Sequence, residues 1–183
     1  LVHISSWGND VDCPPETNIN GLNCRDIRFY GNDDFEKILD IEQPDLVVLT
    51  STDTFAHRAI IRYCKKRSIP TLNMYHGTRS VIDAEDSLGS PNIPFLAYLR
   101  NIISKIAKLL IHTFPVYMKS LWKTNASVSD WIRFLTDVLQ FAIGRDPAYV
   151  KSSQDSSTTK CAVYVDSDIK HAMSCYGFMK EDI

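Results

Sequence analysis

The chain has no glycine-rich phosphate loop. Neither a GxGxxG run nor a P-loop occurs among its 183 residues. A tightly bound dinucleotide within this chain is therefore not expected. It also has no CxxC pair. Its five cysteines, Cys13, Cys24, Cys64, Cys161 and Cys175, are widely scattered. That spacing argues against a zinc site, and the odd count favours reduced thiols in a cytoplasmic setting. No stretch approaches the roughly 20 apolar residues that span a bilayer. No global excess of positive charge exists, since the net charge is −2. A general nucleic-acid signature is thus absent. There is no internal repeat and no basic secretory leader at Leu1 to Ser6. Asn125-Ala126-Ser127 is a formal sequon, read as chance in such a chain. The chain starts without Met and stops just after a helix-like segment, so it is expected to be a piece of a longer protein.

What is present argues for a folded domain. Apolar residues make up 44% and charged residues 23%. The most informative stretch is Gln43 to Gly77. A Pro44-Asp45 pair leads into the apolar run Leu46 to Leu49, then a polar turn, then an amphipathic helix pattern. A second run, Ile69 to Tyr75, ends on His76-Gly77. This predicts a βαβ unit whose parallel strands are buried on both faces. Ligands of open α/β sheets lie beyond the carboxyl ends of their strands. His76 falls at such an end.

Around this unit, Leu1 to Ser6 predicts a strand and Trp7 to Cys24 a long loop rich in Asn, Asp, Pro and Gly. Arg25 to Tyr30 predicts a short second strand. Asp33 or Asp34 is placed to cap a helix to about Ile41, with Phe35, Ile38 and Leu39 inward. Asp53 or Thr54 is placed to cap the helix Phe55 to Arg67, whose inner face is Phe55, Ala59, Ile60, Tyr63 and Cys64. Thr78 to Pro94 reads as a loop and Pro94 to His112 as a helix. Val116 to Lys123 is short, apolar and basic. Ser127 to Ile143 predicts a second amphipathic helix with Asp130, Arg133, Asp137 and Gln140 on its polar side. Tyr149 to Lys160 reads as a Ser/Thr-rich linker. Strand character returns at Cys161 to Asp166. A final helix runs to Tyr176, with Asp166 or Ser167 as cap and Gly177 at its end.

Residues 1–77 and 160–183 are accordingly expected to form a Rossmann-like α/β domain. Residues 78–159 would be a helical insertion and linker.

His76 is the candidate catalytic residue, because imidazole titrates near neutrality and can act as a general base. Gly77 permits a sharp turn or a close approach to a ligand. The competing reading is a hydrogen-bonded loop His beside a turn Gly. Thr52 and Asp53 stand at a strand-to-helix turn whose free N–H groups can meet a phosphate or a sugar hydroxyl. Ordinary helix capping competes with that reading. Arg79 could bind an anionic group, or be a solvated loop residue. Asp166, Ser167 and Asp168 repeat the strand-to-helix geometry, with capping the simpler assignment.

The segment Ile93 to Ser129 holds Arg100, Lys105, Lys108, Lys119 and Lys123 and no Asp or Glu. Phe95, Tyr98, Phe114, Tyr117 and Trp122 are interleaved with them. Such residues suit an anionic membrane interface, with Arg100, Lys105, Lys108, Lys119, Trp122 and Lys123 as the candidate contacts. Packing on the domain itself or on a partner is the alternative. Single-stranded nucleic acid could use the same residue types, but the acidic remainder of the chain disfavours it.

With these residues in view, the chain resembles the N-terminal domain of GT-B-type glycosyltransferases of bacterial surface polysaccharide and lipid-linked glycan assembly. The resemblance rests on Pro44-Asp45-Leu46-Val47-Val48, Ile69-Pro70-Thr71 and His76-Gly77, and on the closing segment from Val163 to Ile183. His76-Gly77-Thr78-Arg79-Ser80 is also similar to a shortened H-x-x-G-x-R-S loop of UDP-N-acetylglucosamine 2-epimerases. The resemblance implies the acceptor-side half of a two-domain enzyme. Its nucleotide-sugar donor would bind a second domain, with no cofactor held in this chain. A glycan or lipid-linked acceptor and a peripheral place on the inner face of the plasma membrane are the partner and location it suggests. An anionic membrane surface and a homo-oligomer are the other partners considered, the residues themselves not indicating an oligomeric state. The rival expectations are a sugar-nucleotide epimerase and a non-catalytic membrane-associated scaffold.

Overall fold

The computed structural model describes residues 1–5, 14–31, 34–50, 52, 54–74, 99–100, 103–104, 106–107, 111, 114–142, 158–163, 166–176 and 178–183. The protein is mixed α/β, with a parallel sheet flanked by helices. Its chain divides into two compact units, Leu1–Pro44 and Asp45–Ile183.

The first unit contains β1 (Val2–Ser5), β2 (Glu16–Ile19), β3 (Leu22–Asp26), a 3-10 turn (Ile27–Tyr30) and α1 (Phe35–Glu42). β3 is central, parallel to β1 and antiparallel to β2. The expected loop from Trp7 to Cys24 is therefore a hairpin over its second half. Asn20 and Gly21 make its turn, with φ of 51° and 85°. A type I′ hairpin turn needs positive φ at both central positions, and Asn-Gly meets that need at low cost. Asn18 Oδ1 accepts from the Gly21 N–H at 2.9 Å, and the cross-strand Asn23 accepts from Asn18 at 2.7 Å. The expected strand at Arg25 to Tyr30 is also corrected. It stops at Asp26, whose buried carboxylate accepts from the Arg28 N–H at 2.9 Å and opens the 3-10 turn. Asp34 caps α1, and Ile38 and Leu39 are buried as expected. Arg25 ties the unit together. It pairs with Glu16 on β2 and with Glu42 on α1, and stacks over Phe29. Tyr30 donates to the same Glu42 carboxylate at 2.7 Å.

The second unit contains β4 (Val47–Leu49), α2 (Phe55–Lys66), β5 (Thr71–Met74), α3 (Phe114–Lys123), α4 (Val128–Ala142), β6 (Lys160–Ala162), α5 (Asp166–Tyr176) and a 3-10 turn (Lys180–Asp182). The sheet order is β4-β5-β6 and all pairings are parallel. The βαβ unit read from Gln43 to Gly77 is present as β4, α2 and β5. The late strand β6 joins the same sheet. Thr158 and Thr159, expected in a linker, instead dock it. Thr159 Oγ1 accepts from the Thr71 N–H at 3.1 Å, and Thr71 Oγ1 accepts from the Thr159 N–H at 2.9 Å.

The strands are not buried on both faces. Leu49, Thr71, Asn73 and Cys161 are buried, but Val48 and Met74 on the other face are exposed. The single-sided burial follows the period of two along each strand.

α2 is capped by Thr54, whose hydroxyl accepts from the His57 N–H at 3.2 Å. It is more enclosed than its apolar stripe implies. Ala59, Ile61, Tyr63 and Cys64 are all at 1% exposure or less, and Ile61 replaces the expected Ile60. Phe55 meets Tyr117 of α3 edge-on at 5.4 Å and Phe134 of α4 at 5.6 Å. Tyr117 and Phe134 lie 4.8 Å apart, closing an aromatic cluster.

Part of the polar side of α4 turns inward rather than to water as its pattern implies. Asp137 is 3% exposed and pairs with the buried Arg58 of α2 at 2.9 Å. Asp130 lies 3.7 Å from Arg62 of α2 and shares a reciprocal cap with Ser127. The strong competing force is the guanidinium pair on α2, which draws both acids inward. Burial pushes the Asp130 carboxyl up. Its Ser127 hydrogen bonds, with Arg62 and Arg133 nearby, outweigh this and hold it below the ordinary carboxylate range.

Two outcomes follow. Asp137→Ala should cost about 3–5 kcal/mol in urea unfolding, because it removes the carboxylate paired with a buried guanidinium. The double change Arg58→Met with Asp137→Leu should cost far less. A single-variant loss under about 1 kcal/mol would mean that the pair is hydrated. Asp130 should stabilise the fold fully above its unfolded pKa near 3.9 and progressively less as pH falls through its lower folded value. Comparing acid unfolding of the protein and Asp130→Asn checks this. Identical profiles would remove Asp130 from the acid transition.

Candidate functional site

Three parallel strands end at one edge of the sheet in the second unit. Leu49, Asn73 and Cys161 form one hydrogen-bonded row there. Adjacent strands lie roughly 4.8 Å apart, so the segments leaving this row begin close together. Thr52 follows β4, Asn73 is the penultimate residue of β5, and Asp168 occupies the first turn of α5 after β6.

All three are buried, Thr52 and Asn73 at 1% exposure and Asp168 at 6%. Thr52 Oγ1, Asn73 Oδ1 and Asp168 Oδ2 each lack a hydrogen-bond partner among the described residues. A single buried oxygen left unpaired costs about 1–3 kcal/mol. Each is thus a buried oxygen that a donor from outside the chain could satisfy. Two are acceptors and the third, a hydroxyl, serves either role.

No family model, curated protein or solved structure matches this chain. The site must therefore be read from its own chemistry. Among the described residues no group of three His, Cys, Asp or Glu could hold a metal ion. Cys64 and Cys161 are free, and burial pushes both thiols up to about 11. Thiols so protonated at neutral pH are poor nucleophiles.

Of the residues singled out in the sequence, Thr52 stands at this edge. Asp53, His76, Gly77 and Arg79 lie outside the described residues. His76 follows Asn73 by three positions, and Asp53 adjoins Thr52. Lys105 and Lys108 also lie outside the described residues. Arg100 and Trp122 are exposed, while Lys119 and Lys123 are half-buried.

Asn73 was not singled out in the sequence, and Asp168 was weighed with Asp166 and Ser167 but assigned to helix capping. Asn73 is a polar residue between two apolar ones near the end of its strand, a signal visible in Leu72-Asn73-Met74. Asp168 resembles a helix cap. Its burial and unpaired oxygen separate it from that role.

Thr52→Val keeps the shape and removes the unpaired hydroxyl. It should raise ligand-free stability by about 1 kcal/mol in urea unfolding, as should Asn73→Leu. Destabilisation by both would mean that these oxygens are already satisfied.

Proposed function

We propose that the protein transfers sugar from a nucleotide-activated donor to a glycan or lipid-linked acceptor, with this chain as the acceptor-side half. The observation that carries this reading is the set of buried, unpaired oxygens on Thr52, Asn73 and Asp168 at the carboxyl edge of the parallel sheet. Sugar hydroxyls are suitable donors for them. Each hydroxyl can donate to an oxygen of the site and accept in turn from a neighbouring N–H. Buried acceptors also select for hydroxyls, because a ligand lacking them leaves the oxygens unpaired.

In this reading Asn73 and Asp168 orient the acceptor by accepting from its hydroxyls. Thr52 and Asp53 contribute from the turn before α2. His76 takes the proton from the attacking hydroxyl, Gly77 permits its close approach, and Arg79 meets an anionic group. The attacking oxygen then forms the new glycosidic bond as the nucleoside diphosphate leaves with the bonding electron pair. The donor is held by the second domain that the GT-B resemblance implies.

The first test is titration of the chain with oligosaccharides and with nucleotide sugars, followed by amide chemical shifts. Shifts confined to residues near Thr52, Asn73 and Asp168, and lost in Asn73→Leu, are expected. In the longer protein, His76→Ala should cut turnover by about 10²-fold with the fold intact. Unchanged turnover would remove His76 from the mechanism. Solvent deuterium appearing in the sugar without an acceptor would replace transfer by epimerisation.

A further inference from the structure

α4 presents the wrong face to water. Val128, Ile132, Leu135 and Leu139 recur at spacings of four, three and four, and so line one stripe of the helix. They are 76%, 59%, 53% and 67% exposed. A surface helix normally turns such a stripe inward and its charges outward. Here Asp137 and Asp130 are drawn toward Arg58 and Arg62 of α2. The exposed polar neighbours of the stripe, Ser129 and Thr136, carry no charge.

The charge of the adjoining chain indicates what covers this face. Residues 93–129 lead directly into α4 with five cations and no acid. Trp122 lies in the last turn of α3, just before the turn into α4, and is 79% exposed. An indole favours the boundary between head groups and acyl chains. α4 has 15 residues, and at 1.5 Å per residue it is about 22 Å long. Among the described residues no helix is long and apolar enough to cross a membrane.

We propose that the outward face of α4 docks on an anionic lipid bilayer. The helix lies in the plane of the interface, Val128, Ile132, Leu135 and Leu139 enter the acyl boundary, and Trp122 marks the head-group level. Exposed Arg100, with the half-buried Lys119 and Lys123 of α3 just before α4, supplies the attraction to the anionic surface. The inward pairing of Asp130 and Asp137 keeps negative charge off the docking face. The surface requires no glycosyl transfer, so its test is independent of the activity.

The test is co-sedimentation of the full chain with phosphatidylcholine vesicles, alone and with about one-third phosphatidylserine, at low and high salt. Retention on the anionic vesicles, weakened by salt, is expected. Brominated lipid should quench Trp122, identified by the loss of that quenching in Trp122→Phe. Leu135→Ser with Leu139→Ser should lower vesicle partitioning roughly tenfold or more, with unchanged circular dichroism. Both side chains are exposed, so the fold should survive their replacement. Failure of anionic vesicles to retain the chain at low salt would overturn the proposal. So would full retention by the double variant. A dimer in sedimentation equilibrium that the same variant dissolves, without vesicle binding, would assign the face to a second copy.

Discussion

A guanidinium and a carboxylate, both withdrawn from water, govern how the helical layer of the second unit is set. Neither Arg58 nor Asp137 could be buried alone without a cost of several kcal/mol. Together, 2.9 Å apart, they fix the roll of α4 against α2. The aromatic cluster of Phe55, Tyr117 and Phe134 packs in the same seam. Once this pair sets the roll, the apolar row of α4 is committed to the outside. The unusual surface of the protein is thus a consequence of an unusual core.

The same trade between burial and pairing recurs at the carboxyl edge of the sheet, with the opposite outcome. Arg58 found a partner inside the protein. Thr52, Asn73 and Asp168 keep oxygens that have none among the described residues. One arrangement uses its polar groups for cohesion, while the other leaves them without an internal partner.

Much of the second unit was legible because local signals and tertiary packing agree there. The apolar runs at Leu46 to Leu49 and Ile69 to Tyr75 bracket the observed β4 and β5. The caps Thr54 and Asp34 were each one of two named candidates. Reading failed where a partner distant in sequence decides. Nothing near Asp137 announces Arg58, which lies 79 residues earlier. Periodicity locates an amphipathic helix but does not say which side a buried cation will claim. The hairpin of the first unit is a different kind of miss. Asn20-Gly21 is a strong local turn signal, but the surrounding Asn, Asp and Pro masked it as loop. At the candidate site Thr52 was legible from its place in the turn. Asn73 and Asp168 were not, since their significance lies in burial without a partner.

The paired threonines that join β6 to β5 also carry a kinetic consequence. Thr71 and Thr159 are 88 residues apart, and their strands run parallel. Parallel pairing over such a span is slow to form, because the chain loses loop entropy before any contact compensates. β4, α2 and β5 are contiguous and can associate early. β6 and α5 are expected to dock late. Asp168 arrives with them, so the carboxyl edge acquires its full set of oxygens only when the last strand is in place. A nascent or partly folded chain would therefore lack one of the three buried oxygens, and any binding at this edge would wait for the fold to be complete.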